Sequence, residues 1–263
     1  MRKLLRTIQS EVPFLKGARD AVRNLIRGPW VRSGDAELAA LRFVPHSLPG
    51  CYVDVGANQG QSIAAIQRWQ PQARIHSFEP DPRLASLLRR RYQRHAAVTL
   101  HGYGLGDTAE RATLYTPIYN GFIYDGLASF DRQCAATWLG PDTLYRYRPH
   151  RLRLRETTCA TARLDDEGLD PVFIKIDVQG RELQVIQGGL ATIRRWEPVL
   201  MIEDVCHRPG LYPLLRQLGY EQYKFDDRGF YRAEDGRVPN FLFLTAARAK
   251  TVVRAERGRG THT

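Results

Sequence analysis

The stretch YVDVGANQGQS, Tyr52 to Ser62, constrains the chain more than any other. An apolar, β-branched run from Cys51 to Val55 carries an acid, Asp54, and then meets glycines. The segment QSIAAIQRW that follows places Ile63, Ile66 and Trp69 on one helical face. Gly56, Asn58 and Gly60 therefore lie in a strand-to-helix turn. Bare Cα atoms there permit tight bends and a close approach of backbone to a ligand. A turn at the carboxyl end of a strand is where open α/β sheets seat nucleotide-like cofactors. The same turn also occurs without a ligand, so the remaining sequence has to decide.

The alternation continues along the chain. RIHSFEP reads as a second strand ending at Glu79, and Pro80 and Pro82 flank the start of a helix, RLASLLRRRYQRH. AVTLHGYGLGD reads as a third strand closing in a turn at Leu105, Gly106 and Asp107, and RATLY as a further short strand. FIKIDVQGRE and PVLMIEDV are two more buried strands, separated by one helix, LQVIQGGLATIRRW. After a helix at LYPLLRQLGY, the segments YEQYKFD and NFLFLTA make a closing antiparallel pair. GDAELAALRFV reads as a helix covering the first strand. Alternating βα units predict a mostly parallel, doubly wound sheet. Residues 116–156, rich in Tyr, Arg, Gly and Pro, interrupt it as an insertion above the sheet, where substrate-specific elements lie. The organisation expected is a basic helical extension over 1–33, one domain over 34–246 and a flexible basic tail over 247–263.

Composition narrows the classes. A chain of 263 residues with 43% hydrophobic content suits one soluble α/β domain. No apolar run is long enough to span a membrane. In MRKLLRTIQSEVPFL the apolar run is broken by Arg6, Gln9, Ser10 and Glu11, against a secretory signal. With Leu4, Leu5 and Ile8 inward it reads as an amphipathic helix, packed on the domain or in weak contact with a membrane surface. Cys51, Cys134, Cys159 and Cys206 show no zinc spacing and read as reduced thiols in a cytoplasm. The net charge of +11 is Arg-rich and spread along the chain. Its densest cluster, YRYRPHRLRLRE from Tyr145 to Glu156, reads as a solvated face, and no specific nucleic-acid partner is expected.

Strand ends carry acids: Asp54, Glu79, Asp107, Asp177, and the pair Glu203 and Asp204. Parallel strands share one carboxyl edge, so these acids should gather around one crevice. A single strand-end Asp often caps a helix; repetition favours a cation or a hydroxyl-rich ligand. Glu79 follows Gly60 by roughly the twenty residues expected of an acid that binds ribose hydroxyls. The run GANQGQSI lacks the G-x-G-x-x-G that a pyrophosphate needs, whereas S-adenosylmethionine has no phosphate.

Together VDVGANQGQS, SFEPDP, GLGD, IKIDVQGRE and PVLMIED resemble the successive motifs of FkbM-type methyltransferases, from about Gly50 to Ala246. The resemblance implies a Rossmann-like, seven-stranded class I fold with a C-terminal antiparallel strand. It implies S-adenosylmethionine as cofactor and a hydroxyl of a sugar, glycan or secondary metabolite as acceptor. It places the methionine end of the cofactor at Asp54, Gly56, Asn58 and Gly60, and the ribose at Glu79 and Pro80. Leu105 to Asp107 would lie near adenine, and Lys175 to Glu182 below the transferred methyl. The family pattern K-I-D-V-E-G-x-E reads here with Gln179 for the first Glu.

Methyl transfer to a hydroxyl needs alignment and a base. Asp177 is the leading candidate, with Lys175 on the same side of its strand and Glu203 nearby. Asp177, Glu203 and Asp204 could instead hold Mg²⁺, and His207 is a second candidate base. His101 reads as a packing residue. Tyr119, Tyr124 and Trp138 could line an acceptor pocket or serve the core. Two other readings stand beside this one: an RNA methyltransferase, suggested by the charge, and a non-catalytic module retaining the fold, suggested by Gln179.

Overall fold

A computed structural model of the chain describes residue 3, residue 7 and residues 38–203, 210–232 and 240–252. A 3-10 helix, Leu38–Phe43, precedes the first strand within the segment expected to be helical, whose residues 34–37 lie outside the described ones. Then follow β1 (Cys51–Val55), α1 (Gln61–Trp69), β2 (Arg74–Phe78), α2 (Pro82–Tyr92), β3 (Val98–His101), β4 (Gly104–Leu105), β5 (Arg111–Tyr119), β6 (Phe122–Ile123), α3 (Arg132–Thr137) and β7 (Leu152–Ala162). The chain continues with β8 (Pro171–Ile176), α4 (Glu182–Gln187), α5 (Leu190–Trp196), β9 (Val199–Glu203), α6 (Leu211–Gln217), β10 (Tyr220–Phe225), β11 (Phe230–Arg232), β12 (Asn240–Thr245) and α7 (Ala246–Val252).

The main sheet has the order β11-β10-β12-β9-β8-β1-β2-β3. From β9 to β3 neighbours are parallel, while β12 runs antiparallel to both β9 and β10. This is the expected seven-strand arrangement, with β11 added as a short eighth strand on the outer edge. Two cores cover its faces. Tyr52, Phe173 and Met201 point into the core under the first 3-10 helix and α1, and Val53, Ile174 and Leu200 into the core under α4 to α6.

Three local expectations change. The helix expected over LQVIQGGLATIRRW breaks into α4 and α5 at Gly188 and Gly189. An added Cβ on Gly188 would run into the Gly106 carbonyl oxygen, so the chain must pass there bare. The Gly-rich turn is not the end of β3; it follows β4, which pairs with β7 in a second sheet. The insertion is itself built on β-structure. β5 and β7 pair antiparallel from Arg111↔Ala160 to Tyr119↔Leu152, so regular structure extends past both edges of the irregular segment read from sequence. The arch between them has a small core of Tyr119, Phe122, Tyr124, Leu139 and Leu144. Tyr119 and Tyr124 thus serve packing.

The basic cluster is partly internal. Tyr147 stacks on Tyr119 at 5.4 Å, and Arg155 bonds Asp81 at 2.6 Å. At the N-terminus Lys3 and Thr7 are helical, and Thr7 Oγ1 accepts from the Tyr145 amide at 2.9 Å. Leu4, Leu5 and Ile8 lie outside the described residues, as do Asp204, Cys206 and His207. Helix α7 continues beyond residue 246 to Val252, which is buried in the main core. Cys51 and Cys159 are free and buried, but Cys134 is disulfide-bonded, contrary to the reduced-thiol expectation. No described helix is long and apolar enough to cross a membrane.

His101 stacks on Phe78, with ring centroids 4.2 Å apart, and also joins a hydrogen-bonded chain. His76 Nδ1 lies 3.2 Å from His101 Nε2, His101 Nδ1 lies 3.0 Å from the Tyr103 hydroxyl, and Tyr103 donates to Glu167. The Tyr103 proton is committed to Glu167, so His101 Nδ1–H donates to Tyr103 and His76 donates to His101. Burial lowers the pKa of both histidines below the usual value, and for His76 the neighbouring His101 and Arg74 add to this against Asp170 and Glu167. The folded chain therefore keeps them neutral where the unfolded chain takes protons, and stability should fall as pH drops below about 6.5. In thermal melts between pH 5 and 7.5 the wild type should lose stability toward the acid end relative to His76→Gln, whatever the buried carboxyl groups contribute to both. A decline of equal slope in the variant would remove His76 as a cause.

Candidate functional site

The strands that meet at the centre of the sheet share one pattern. On the face toward α1, each carries an apolar residue and, two positions on, a polar one: Tyr52 then Asp54, Ile75 then Ser77, Phe173 then Lys175, Met201 then Glu203. Period-two geometry stacks these pairs in rows across the sheet. Registration places Asp54 between Ser77 and Lys175. Ser77 Oγ donates to Asp54 Oδ2 at 2.8 Å, and Lys175 Nζ lies 3.7 Å from Asp54 Oδ1 and 3.3 Å from Asp177 Oδ2. Gln179 Nε2 donates to Asp177 Oδ1 at 2.7 Å and to Glu203 Oε2 at 3.3 Å.

Electrostatics assign protons within this cluster. Burial opposes the charge on Lys175, but Asp177, Asp54 and Glu203 outweigh it and hold its pKa above the usual lysine value. Burial likewise opposes the charge on Asp177; Lys175 and hydrogen bonds from Glu203, Gln179 and Lys175 hold its carboxyl below the usual range. Burial, then the hydrogen bond and charge of Asp177, push Glu203 up to about 9. At neutral pH the pair is a protonated Glu203 donating to an ionised Asp177, beside a charged Lys175.

The turns complete the crevice. Gly56 has φ +90°, and an added Cβ would run into the Asp177 carbonyl oxygen. Its bare Cα therefore serves the approach of two chain segments, where sequence suggested approach to a ligand. Gly56 and Ala57 both donate their amides to the Phe78 carbonyl, at 3.0 and 3.1 Å. Asn58 adopts φ +50° and donates its amide to Glu79 Oε2 at 2.6 Å, while Asp81 donates to Glu79 Oε1 at 2.8 Å. Burial pushes Glu79 up to about 8 in spite of these two bonds. Gly60 caps α1 with φ +85°, and its carbonyl accepts from Tyr92. Leu105 and Gly106 are buried, and Pro80 lies beside Gly104. Asp107 is exposed, on a turn outside the main sheet. It does not belong with the strand-end acids.

Sequence reasoning missed the residues that tie the insertion to this crevice. Ser129 Oγ donates to the Gln179 carbonyl at 2.5 Å. Arg83 pairs with the buried Asp125, Arg155 with Asp81, and Gly126 packs near the Asn58 side chain. Only Ser77 carried a usable signal, two positions before Glu79 and level with Asp54.

Mg²⁺ does not suit this donor set. Gln179 and Lys175 present N–H groups to the carboxyl oxygens of Asp177 and Glu203 that a metal would need. Among the described residues no group of three or more His, Cys, Asp or Glu side chains is placed to hold a metal.

Strand order and carboxyl-edge crevice together define a class I methyltransferase fold. The chain belongs to the FkbM methyltransferase family, whose Methyltransferase FkbM domain matches residues 54–225. Comparison with curated proteins gives no match. Among solved structures, methyltransferase FkbM from Methylobacillus flagellatus KT is 20% identical with a TM-score of 0.46, covering 83% of this chain. This chain spans 46% of that one. Precorrin-6y C5,15-methyltransferase from Geobacter metallireducens GS-15 is 14% identical with a TM-score of 0.40, over 81% of this chain and 87% of its own. A SAM-dependent O-methyltransferase from Thermotoga maritima is 8% identical with a TM-score of 0.36, over 86% and 69%.

The proton on Glu203 has a measurable consequence. Its folded pKa of about 9 lies above the unfolded carboxylate value, so the folded chain retains a proton that the unfolded chain releases. Stability should fall as pH rises from about 4.5 toward 9, where the effect saturates. Glu203→Gln keeps a donor toward Asp177 and removes this titration, so its melting temperature should decline less between pH 6 and 9 than that of the wild type. Glu79 acts in the same direction, so some decline remains. Parallel curves for the two proteins would contradict the protonated Glu203.

Proposed function

We propose that the chain is an S-adenosylmethionine-dependent O-methyltransferase acting on a hydroxyl of a sugar, glycan or other secondary metabolite. The observation that carries this reading is the position of Asp177. Within the charged cluster the Asp54 side chain is fully buried and that of Lys175 is 11% exposed, whereas Asp177 keeps 28%. An ionised carboxylate thus reaches the crevice at the end of the central strand. The acceptor class is supported by the family resemblance.

The residues present fit the cofactor. Each oxygen of Glu79 accepts one backbone amide, which leaves further lone pairs for ribose hydroxyls. The turn from Asp54 to Gly60 and the Asp177 turn flank the place for the methionine end, and Leu105 with Gly106 the place for adenine. When bound, the cofactor supplies an electrophilic methyl group on a sulfonium.

With the cofactor bound, Asp177 would orient the incoming hydroxyl and take up the proton that the hydroxyl loses on accepting the methyl group. A hydroxyl oxygen that is gaining a methyl becomes strongly acidic, so a weak base suffices if it is ionised and in place. Lys175 keeps it ionised from Oδ2, Gln179 donates to Oδ1, and the protonated Glu203 adds a further hydrogen bond. The proton then leaves to solvent from the exposed edge of Asp177. No step calls for a metal.

Asp177→Asn keeps the shape and removes the base. Methyl transfer from S-adenosylmethionine, measured with an acceptor found by screening extracts, should fall on the order of 10²–10⁴-fold. The fold, checked by thermal melt, should persist, and a chelator should leave the wild-type rate unchanged. A normal rate in the variant would reduce Asp177 to a structural acid.

A further inference from the structure

Two buried acceptor atoms at the site have no hydrogen-bond donor among the described residues: Asp54 Oδ1 and Gln179 Oε1. Their residues are 0% and 7% exposed. The nearest cation to the first is Lys175 Nζ, at 3.7 Å, beyond hydrogen-bond range. Asp54 Oδ2 is already served by Ser77.

Gln179 is fixed from both ends. Its carbonyl accepts from Ser129, at a backbone φ of +51° that few non-glycine residues adopt. Its amide nitrogen donates to Asp177 Oδ1 and Glu203 Oε2. Turning the amide over would set its oxygen against the ionised Asp177, so its orientation is determined. Oε1 must therefore face away from the two carboxyl groups, and no donor among the described residues satisfies it. A carbonyl and a carboxylate oxygen, both buried and unpaired, call for a ligand with several N–H donors and a positive charge.

We propose that Gln179 Oε1 and Asp54 Oδ1 together seat the α-ammonium of the cofactor's amino acid end, which makes Gln179 a cofactor-binding residue. An ammonium offers three donors and carries the charge that Asp54 lacks beyond its distant contact with Lys175. The inference rests on the S-adenosylmethionine reading above. It adds that Gln179 acts through its oxygen on the cofactor, as well as through its nitrogen on Asp177.

Calorimetry with two ligands tests it without any methyl acceptor. S-adenosylhomocysteine carries the amino acid end, and 5′-methylthioadenosine lacks it. Both should bind the wild type. Gln179→Leu should weaken S-adenosylhomocysteine on the order of tenfold, the usual worth of one buried charge-assisted bond, and leave 5′-methylthioadenosine unchanged. Gln179→Glu loses the amide nitrogen and keeps an acceptor oxygen, so it should restore S-adenosylhomocysteine binding to near the wild-type level. The inference is overturned if Gln179→Leu binds S-adenosylhomocysteine normally, if 5′-methylthioadenosine weakens equally, or if Gln179→Glu binds as poorly as Gln179→Leu. A wild type that binds neither ligand would overturn the cofactor reading itself, and this inference with it.

Discussion

The ammonium of Lys175 is the interaction on which the rest of the site depends. It stands on the central strand, 3.7 Å from Asp54 and 3.3 Å from Asp177, and is nearly enclosed. A carboxylate buried without a partner costs far more than a surface one, and removing one partner of a buried pair leaves the other uncompensated. Two acids flank this lysine, so its charge fixes theirs. Asp177 remains ionised because Lys175 is beside it, and Glu203 holds a proton because Asp177 is ionised. The arrangement costs stability in isolation. Its outcome is a partly exposed Asp177 carboxyl that Lys175 holds toward the ionised form.

Much of this arrangement was legible because a strand repeats every two residues. Once Asp54, Lys175 and Glu203 lay at the ends of buried strands, parity alone put them on one face. The place of Glu79 at the end of β2 was legible too, though not its bonds to the Asn58 and Asp81 amides. Asp107 was not, because GYGLGD looks like one strand and turn, while the structure breaks it after His101 and sends Gly104 and Leu105 to another sheet. A propensity pattern records that a segment is extended but not which neighbour it pairs with. Gly56 failed in another way. Its position was right and its cause was not, since what demands a bare Cα is the carbonyl of Asp177, more than a hundred residues away in sequence.

The insertion was the least legible part. β7 alternates poorly, with Arg153 and Glu156 exposed and Arg155 turned to a buried acid, so its charge pattern resembles a solvated loop. Its partner β5 includes Pro117, which weakens the strand signal further. Pairing of the two over nine registered positions overrides those local preferences. The consequence reaches the site. Through Ser129 and the ion pairs of Asp125 and Arg155, the inserted layer is bonded to the Asp177 turn and to the start of α2. The inserted layer and the strand-end turns are thus held in one hydrogen-bonded and ion-paired unit.

Gln179 shows why a single departure from a family pattern can be consistent with the chemistry. A glutamate there would set a third carboxyl group beside Asp177 and Glu203, whose own proton count already depends on Lys175. Like charges so close cannot all ionise, so a second proton or a bound cation would be required to fill the gap. The glutamine amide supplies two N–H donors where that proton or cation would sit, at 2.7 and 3.3 Å. Only Glu203 then needs to be protonated. The substitution removes one ionisable group from the site but retains both hydrogen bonds and one outward-facing acceptor. The loss of a carboxylate at position 179 is therefore no sign of a disabled site, because the acid exposed to the crevice is Asp177.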